Sequence, residues 1–116
     1  MTVKEFYEAV GGDYEGTQKR LMNDMLIKRF LGRFLETTDI GKLRTAIGAN
    51  DFRAVFTEAH TLKGVAGNLG LTELFNASDE LCETCRDKDP DYSLAPYLAR
   101  VEKAYDEACA GIRTIS

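Results

Sequence analysis

Several residue types are rare or absent in the sequence, and each shortage excludes some classes of structure. It contains no tryptophan, two prolines, three cysteines and a single histidine among 116 residues. So few prolines leave long stretches free to form helices. Three cysteines cannot all pair within one chain, so we expect free thiols and a reducing, cytoplasmic location rather than a disulfide framework.

Long apolar runs are also missing from the sequence. No stretch approaches the roughly 18 apolar residues of a membrane-spanning helix. The N-terminus, Met1 to Glu5, lacks the basic start and apolar stretch of a signal peptide. We therefore expect no membrane segment, and the ordinary termini lead us to expect an independent protein.

Positive charge is scarce as well. The 15 lysines and arginines stand against 19 aspartates and glutamates, which gives a net charge of −4. Because nucleic acid binding needs a concentrated positive surface, a nucleic acid is not the expected partner. The hydrophobic fraction of 44% suits a buried core, and the length suits one domain spanning residues 1–116. We expect this domain to be a monomer.

Helical periodicity dominates the chain, and no segment alternates strictly between apolar and polar residues. Four apolar stripes predict longer helices: from about Asp13 to Glu36, from a cap at Asn50 to Gly70, from Leu71 to Cys85, and from about Leu94 to Ile112. Because short connections join these helices, we predict an all-α fold, an antiparallel four-helix bundle in up-down-up-down order. Two shorter helices are expected to flank it: one from a Thr2–Glu5 capping box to Gly11, and one from Thr38 or Asp39 to about Gly48.

His60, the only histidine, falls on a predicted helix whose apolar stripe includes Val55, Ala59, Leu62 and Ala66. At about 100° per residue, the imidazole lies roughly 130° from the centre of that stripe. A histidine buried in the core is therefore not expected. We predict that His60 faces solvent.

The neighbours of His60 one and two turns further along the helix are unusual. Lys63 brings a positive charge within reach of any group attached to His60; the alternative is an ordinary solvated lysine. Gly64 and Gly67 each cost a helix about 1 kcal/mol relative to alanine. Close helix packing is one explanation for Gly67. Gly64 lies on the exposed side, where a missing side chain leaves an open surface for another protein's backbone.

The segment of residues 59–71 reads Ala-His-Thr-Leu-Lys-Gly-Val-Ala-Gly-Asn-Leu-Gly-Leu and resembles the signature of histidine-containing phosphotransfer (HPt) domains. The pattern is a histidine, Lys-Gly at the third and fourth positions after it, small residues, and Leu-Gly before the next helix. The resemblance covers nearly the whole chain. It implies a four-helix bundle whose exposed histidine relays a phosphoryl group between aspartates of response-regulator receiver domains.

The resemblance also implies roles for the residues around His60. An imidazole nitrogen is a good nucleophile near neutral pH, so His60 would attack an aspartyl phosphate and carry the phosphoryl group. Lys63 would stabilise the charge of that group, and Gly64 would leave access open. The partners would be receiver domains, a hybrid sensor histidine kinase, or both, and the receiver would bring the divalent cation. We expect no cofactor on this chain and no autokinase activity, since no glycine-rich nucleotide loop is present.

Members of the family often carry a glutamine or glutamate on the following helix that hydrogen-bonds the imidazole. In this sequence the corresponding position falls near Asp79 or Cys82. Asp79 lies at the edge of its apolar stripe, from which its carboxylate would orient the ring; the alternative is a solvated carboxylate. Cys82 lies within the stripe and is a weak hydrogen-bonding substitute.

A partner-docking surface is predicted around His60. It consists of Arg53, Phe56, Thr57 and Gly67. A positive patch there would attract the acidic phosphorylation site of a receiver and speed encounter. The basic residues of the 13–36 helix, including Arg20, are expected to form only a solvated face.

Two functions of other classes compete with phosphotransfer. A non-catalytic helical interaction module would keep the bundle without carrying phosphate, although the intact His60-Lys63-Gly64 set argues against it. A redox or metal-binding bundle would use Cys82, Cys85 and His60. Within the family, a chemotaxis-type domain phosphorylated directly by a kinase catalytic domain is a further variant.

The three cysteines are expected to be buried structural thiols. Cys82 and Cys85 occupy the core stripe late in a helix, without the preceding strand of a thioredoxin-like motif. Cys109 lies one position from the stripe of the last helix. A zinc site would need further ligands, and the only histidine is predicted to face elsewhere.

Overall fold

Seven helices and no strand are found in the computed structural model, which describes residues 1–116. The helices are α1 (Val3–Val10), α2 (Tyr14–Leu21), α3 (Asp24–Thr37), α4 (Gly41–Gly48), α5 (Phe52–Asn68), α6 (Thr72–Thr84) and α7 (Ala95–Ile112). The prediction of an all-α fold is confirmed.

The bundle is built from hairpins of neighbouring helices. Three-residue connections, 49–51 and 69–71, join α4 to α5 and α5 to α6, so each helix folds back on the one before it. Helix α5 packs against α4 and α6, while α7 packs against α6 and α3. Helices α3 and α4 both contact α7, α3 by packing and α4 through an ion pair of Arg44 with Glu102 at 3.0 Å. The molecule is elongated along the helices, 43 × 23 × 21 Å.

One hydrophobic core of 25 buried residues unites the helices. Phe6 of α1, Leu31 of α3, Val55 of α5, Leu81 of α6 and Val101 of α7 each have no exposed surface. Burying a side chain of this size stabilises a fold by roughly 1.5–3 kcal/mol. The apolar stripe of α5 therefore points inward, and its opposite face is left for solvent.

The predicted single helix from Asp13 to Glu36 is wrong, because the chain breaks at Met22. This residue has a left-handed backbone with φ of 78°, and the side chain of Asn23 then caps a new helix by accepting from the Leu26 amide at 3.0 Å. An asparagine side chain favours the cap position, where it hydrogen-bonds a free backbone amide, over the interior of a helix. This preference explains the break. The first half, α2, leaves the bundle and packs against α1 and α3.

The predicted cap of α5 is displaced by one residue. Asp51, not Asn50, accepts a hydrogen bond from the Ala54 amide at 3.2 Å. Asn50 instead takes a left-handed turn with φ of 52°, a conformation that asparagine tolerates better than most residues. The predicted capping box at Thr2 and Glu5 is confirmed by reciprocal hydrogen bonds of 2.8 and 3.1 Å.

The N-terminal helices are attached to the C-terminal end of α5. The buried Tyr7 hydroxyl donates to the Leu69 carbonyl at 2.7 Å, and burial raises the pKa of Tyr7 to about 12. The Asp13 amide donates to the Gly70 carbonyl at 2.9 Å. These bonds hold α2 beside the exposed face of α5.

Two glycines with the same φ angle are expected to differ greatly in the cost of substitution. Gly11 and Gly70 both have φ of 67°, so alanine is strained at either position. A Cβ at Gly11 would meet nothing within 4 Å, whereas one at Gly70 would lie 2.7 Å from the Asp13 carbonyl oxygen and closer still to Thr17. We expect Gly11→Ala to lower the free energy of unfolding by about 1 kcal/mol and Gly70→Ala by about 3 kcal/mol. Urea denaturation measures both; equal losses would contradict the close packing of α2 on Gly70.

Candidate functional site

His60 lies on the exposed side of α5, as the helical wheel predicts. Its imidazole stacks on the ring of Phe56, one turn earlier in the helix, with the ring centroids 5.8 Å apart and the planes inclined by 14°. The side chain is therefore open to a partner on one side and supported by an aromatic ring on another.

An open concavity of about 390 Å³ lies beside His60 on this face. Helices α2, α5 and α6 all contribute to it. Its lining consists of Arg20, His60, Lys63, Gly64, Gly67, Asn68 and Phe75. Two cations, one phenyl ring and two glycines thus line the concavity together with the imidazole.

The two glycines of this face have different roles. A Cβ at Gly64 would meet nothing within 4 Å, so glycine at this position is not required by packing and leaves open space. A Cβ at Gly67 would lie 3.2 Å from the ring of Phe75. Close helix packing therefore accounts for Gly67, whereas the surface over Gly64 is open.

Lys63 is paired with Asp79 across the α5–α6 groove. The Lys63 Nζ lies 2.8 Å from the Asp79 carboxylate and 5.8 Å from the centroid of Phe75. The hydrogen bond to Asp79 raises the pKa of Lys63. Asp79 thus contacts Lys63 rather than the imidazole, and its predicted role in orienting His60 has no supporting contact here.

Cys82, the other residue considered as a partner of the imidazole, is directed elsewhere. Its thiol is buried and lies 3.9 Å from the Phe56 carbonyl, within reach of a weak hydrogen bond. Burial raises the pKa of this thiol, which keeps it protonated and able to donate. Cys82 therefore supports the backbone of α5 at the residue that stacks on His60.

All three cysteines are buried and unpaired, as the apolar stripes predict. Burial raises the pKa of the Cys85 and Cys109 thiols, which disfavours the reactive thiolate form. No group of three or more His, Cys, Asp and Glu side chains is arranged to hold a metal ion.

The predicted docking residues divide between two concavities. Arg53, Phe56 and Thr57 line a second one, of about 440 Å³, which the loop after α6 closes on its far side. Gly67 lines the first concavity instead, together with His60. Phe56 lines the second concavity and stacks on His60, which lines the first.

Arg20 is a residue of this face that sequence reasoning missed. Its guanidinium donates from Nε to the Asn68 carbonyl at 3.2 Å and from Nη2 to the Thr17 hydroxyl at 3.3 Å. The first contact joins residues 48 positions apart, so no local pattern could have revealed it. Arg20 is solvated, as expected, but it also lines the concavity beside His60.

Comparison with known proteins assigns most of the chain to one family. The sequence model of the Hpt domain matches residues 29–111, which include α4 to α6 and nearly all of α7. Helices α1 and α2, and with them Arg20, lie outside the matched segment. Searches of curated proteins and of solved structures gave no significant match. No helix combines the length and the apolar character that crossing a bilayer requires.

Proposed function

This chain belongs to the Hpt domain family, and on that premise we propose that it relays phosphoryl groups between receiver-domain aspartates through His60. Hpt domains transfer phosphoryl groups through a histidine in phosphorelays. The observation that carries the proposal is that the only imidazole of the chain is exposed beside an open, cation-lined concavity.

The transfer itself needs one nucleophile from this chain. A lone pair of the neutral His60 imidazole attacks the phosphorus of an aspartyl phosphate, so that an N–P bond forms while the acyl O–P bond breaks. The departing aspartate keeps the electron pair as a carboxylate, and the ring proton on the other nitrogen is afterwards released to solvent. Attack by a second aspartate reverses these steps and passes the group on.

Electrostatics and access support this chemistry. The phosphoryl group carries negative charge on three oxygens, which positioned cations stabilise. Lys63 and Arg20 line the same concavity as His60, and the absent side chain at Gly64 leaves room for the partner's backbone. We assign Lys63 to charge stabilisation and Gly64 to access.

The partners we propose are receiver domains, either separate or within a hybrid sensor kinase. A receiver contributes the phosphorylated aspartate and, as the resemblance implies, the divalent cation of the reaction. An upstream kinase carries out the phosphorylation from ATP, and the domain itself has no autokinase activity. We propose that it acts as a carrier in the cytoplasm.

Transfer of label from a phosphorylated receiver tests the proposal directly. The purified protein, mixed with a ³²P-labelled receiver and Mg²⁺, is expected to acquire up to one phosphoryl group per chain. A phosphoramidate is labile in acid and stable in alkali, and mass spectrometry of the labelled peptides is expected to locate it at His60. Absence of label with cognate receivers, or an acid-stable label on another residue, would overturn the proposal.

Steering by Arg53 predicts a salt-dependent rate of association. We expect Arg53→Glu to slow transfer about fivefold at low ionic strength, because it places a like charge opposite the acidic receiver site. The difference should shrink above about 0.5 M salt, where screening is strong. Lys103→Glu makes the same charge change in a groove between α6 and α7 and serves as the control. Equal slowing by both variants would show that only net charge matters.

A further inference from the structure

The imidazole of His60 lacks the hydrogen-bonding support that the family resemblance led us to expect. Asp79 is engaged with Lys63 at 2.8 Å, and the Cys82 thiol is directed to the Phe56 carbonyl at 3.9 Å. An exposed histidine without such support samples several rotamers, which lowers the fraction of time its nitrogen is correctly directed. Another contact must therefore fix the ring if His60 reacts efficiently.

The stack with Phe56 is the contact available. The two residues are four positions apart on α5, a spacing that brings side chains over one another on a helix. Their rings are nearly parallel, with a plane angle of 14° and a centroid separation of 5.8 Å, a range in which aromatic rings attract. Rotation of the imidazole about χ1 would break this arrangement.

Phe56 is itself held from its surroundings. The guanidinium carbon of Arg86 lies 4.9 Å from the centroid of the Phe56 ring, and Arg86 is fixed by three hydrogen bonds of 2.9–3.1 Å to the Glu83 carboxylate. The Cys82 thiol contacts the Phe56 backbone. Cys82 near the end of α6 and Arg86 just beyond it thus support Phe56, through a hydrogen bond and a cation–π contact.

We propose that Phe56 is a positioning residue for His60, replacing with a stacked ring the hydrogen bond that Asp79 and Cys82 do not make. Phe56 holds the plane of the imidazole, and Arg86 holds Phe56. The inference rests on the proposed function for its purpose, but the orientation of the ring is a property of the unphosphorylated protein. It differs from a docking role, in which Phe56 would contact the receiver and leave His60 unaffected.

The orientation is measurable because His60 is the only histidine. Three-bond couplings in the ¹³C,¹⁵N-labelled, unphosphorylated protein report the χ1 rotamer populations of His60 without overlap. We expect one dominant rotamer in the wild type and in Phe56→Tyr, and averaging among rotamers in Phe56→Leu. Averaging already present in the wild type, or one rotamer retained in Phe56→Leu, would overturn the inference.

Single-turnover transfer from a phosphorylated receiver provides the second measurement. We expect Phe56→Leu to lower the maximal rate at saturating receiver about tenfold, with little change in the half-saturating concentration, and Phe56→Tyr to restore the rate. A change in the half-saturating concentration alone would identify Phe56 as a docking residue and overturn the inference.

Arg86→Gln tests the support of Phe56 at an exposed position where folding is not at risk. We expect it to lower the maximal rate about threefold, the effect of losing one cation–π contact. An unchanged rate would remove Arg86 from the proposed arrangement. If the wild type accepts no phosphoryl group, the proposed function fails, whereas the rotamer populations still decide whether Phe56 orients His60.

Discussion

Replacing His60 by glutamine is expected to abolish phosphoryl acceptance, with the transfer rate from a phosphorylated receiver reduced at least about a thousandfold. Glutamine keeps much of the size and polarity of histidine but has no nucleophilic ring nitrogen. No other histidine exists in the chain to take over the reaction. Label that stays on the protein through gel filtration at alkaline pH, and that acid treatment then removes, measures the effect.

The same substitution is expected to leave the fold intact. His60 is exposed and does not belong to the 25-residue core, so the free energy of unfolding should change by less than about 0.5 kcal/mol. Urea denaturation checks this expectation. An acid-labile label that persists on His60→Gln would show that another residue carries the phosphoryl group.

Gly64→Leu is expected to slow phosphoryl transfer without lowering the stability of the fold. A Cβ there meets nothing within 4 Å, and a helix-interior glycine costs about 1 kcal/mol relative to residues with high helix propensity. The variant should therefore unfold at equal or higher denaturant concentration. The added side chain nevertheless occupies the open surface one turn from His60 and would hold the partner's aspartate about 1 Å too far away. We expect this displacement to slow transfer about a hundredfold.

Gly32→Leu is a matched control for this substitution. Gly32 also lies within a helix, a Cβ at its position also meets nothing within 4 Å, and it lines neither concavity beside His60. It should gain similar stability and retain wild-type transfer. If Gly64→Leu transferred as fast as Gly32→Leu, the open surface at Gly64 would not be needed for the partner's approach.

Features within one helix could be predicted from the sequence, because helical geometry relates residues a few positions apart. The exposure of His60 and the inward stripe of Val55 and Ala59 follow from the angle per residue, and both are seen in the structure. Periodicity does not reveal the break at Met22, because the apolar pattern continues through it. Asn23, a good cap immediately before Asp24, was the available signal.

Features that join two helices do not follow from the spacing of residues along either helix. The family resemblance implies that Asp79 lies near the imidazole. The register between α5 and α6 decides whether its carboxylate meets His60 or Lys63, and it meets Lys63. The contact of Arg20 with the end of α5 depends on how α2 folds back after leaving the bundle. The register between two helices is set by how the whole core packs. The spacing of residues along a single helix carries no information about that packing.

The pair of Lys63 and Asp79 also bears on how strongly the protein would retain a phosphoryl group. A relay intermediate works best when its phosphorylated state lies close in free energy to those of its donor and acceptor, because an over-stabilised intermediate would trap the group. On the proposed function, a phosphoryl group on His60 would have to compete with the Asp79 carboxylate, 2.8 Å from Lys63, for the ammonium. That competition would weaken the hold of Lys63 on the phosphoryl group and would favour reversible exchange between partners.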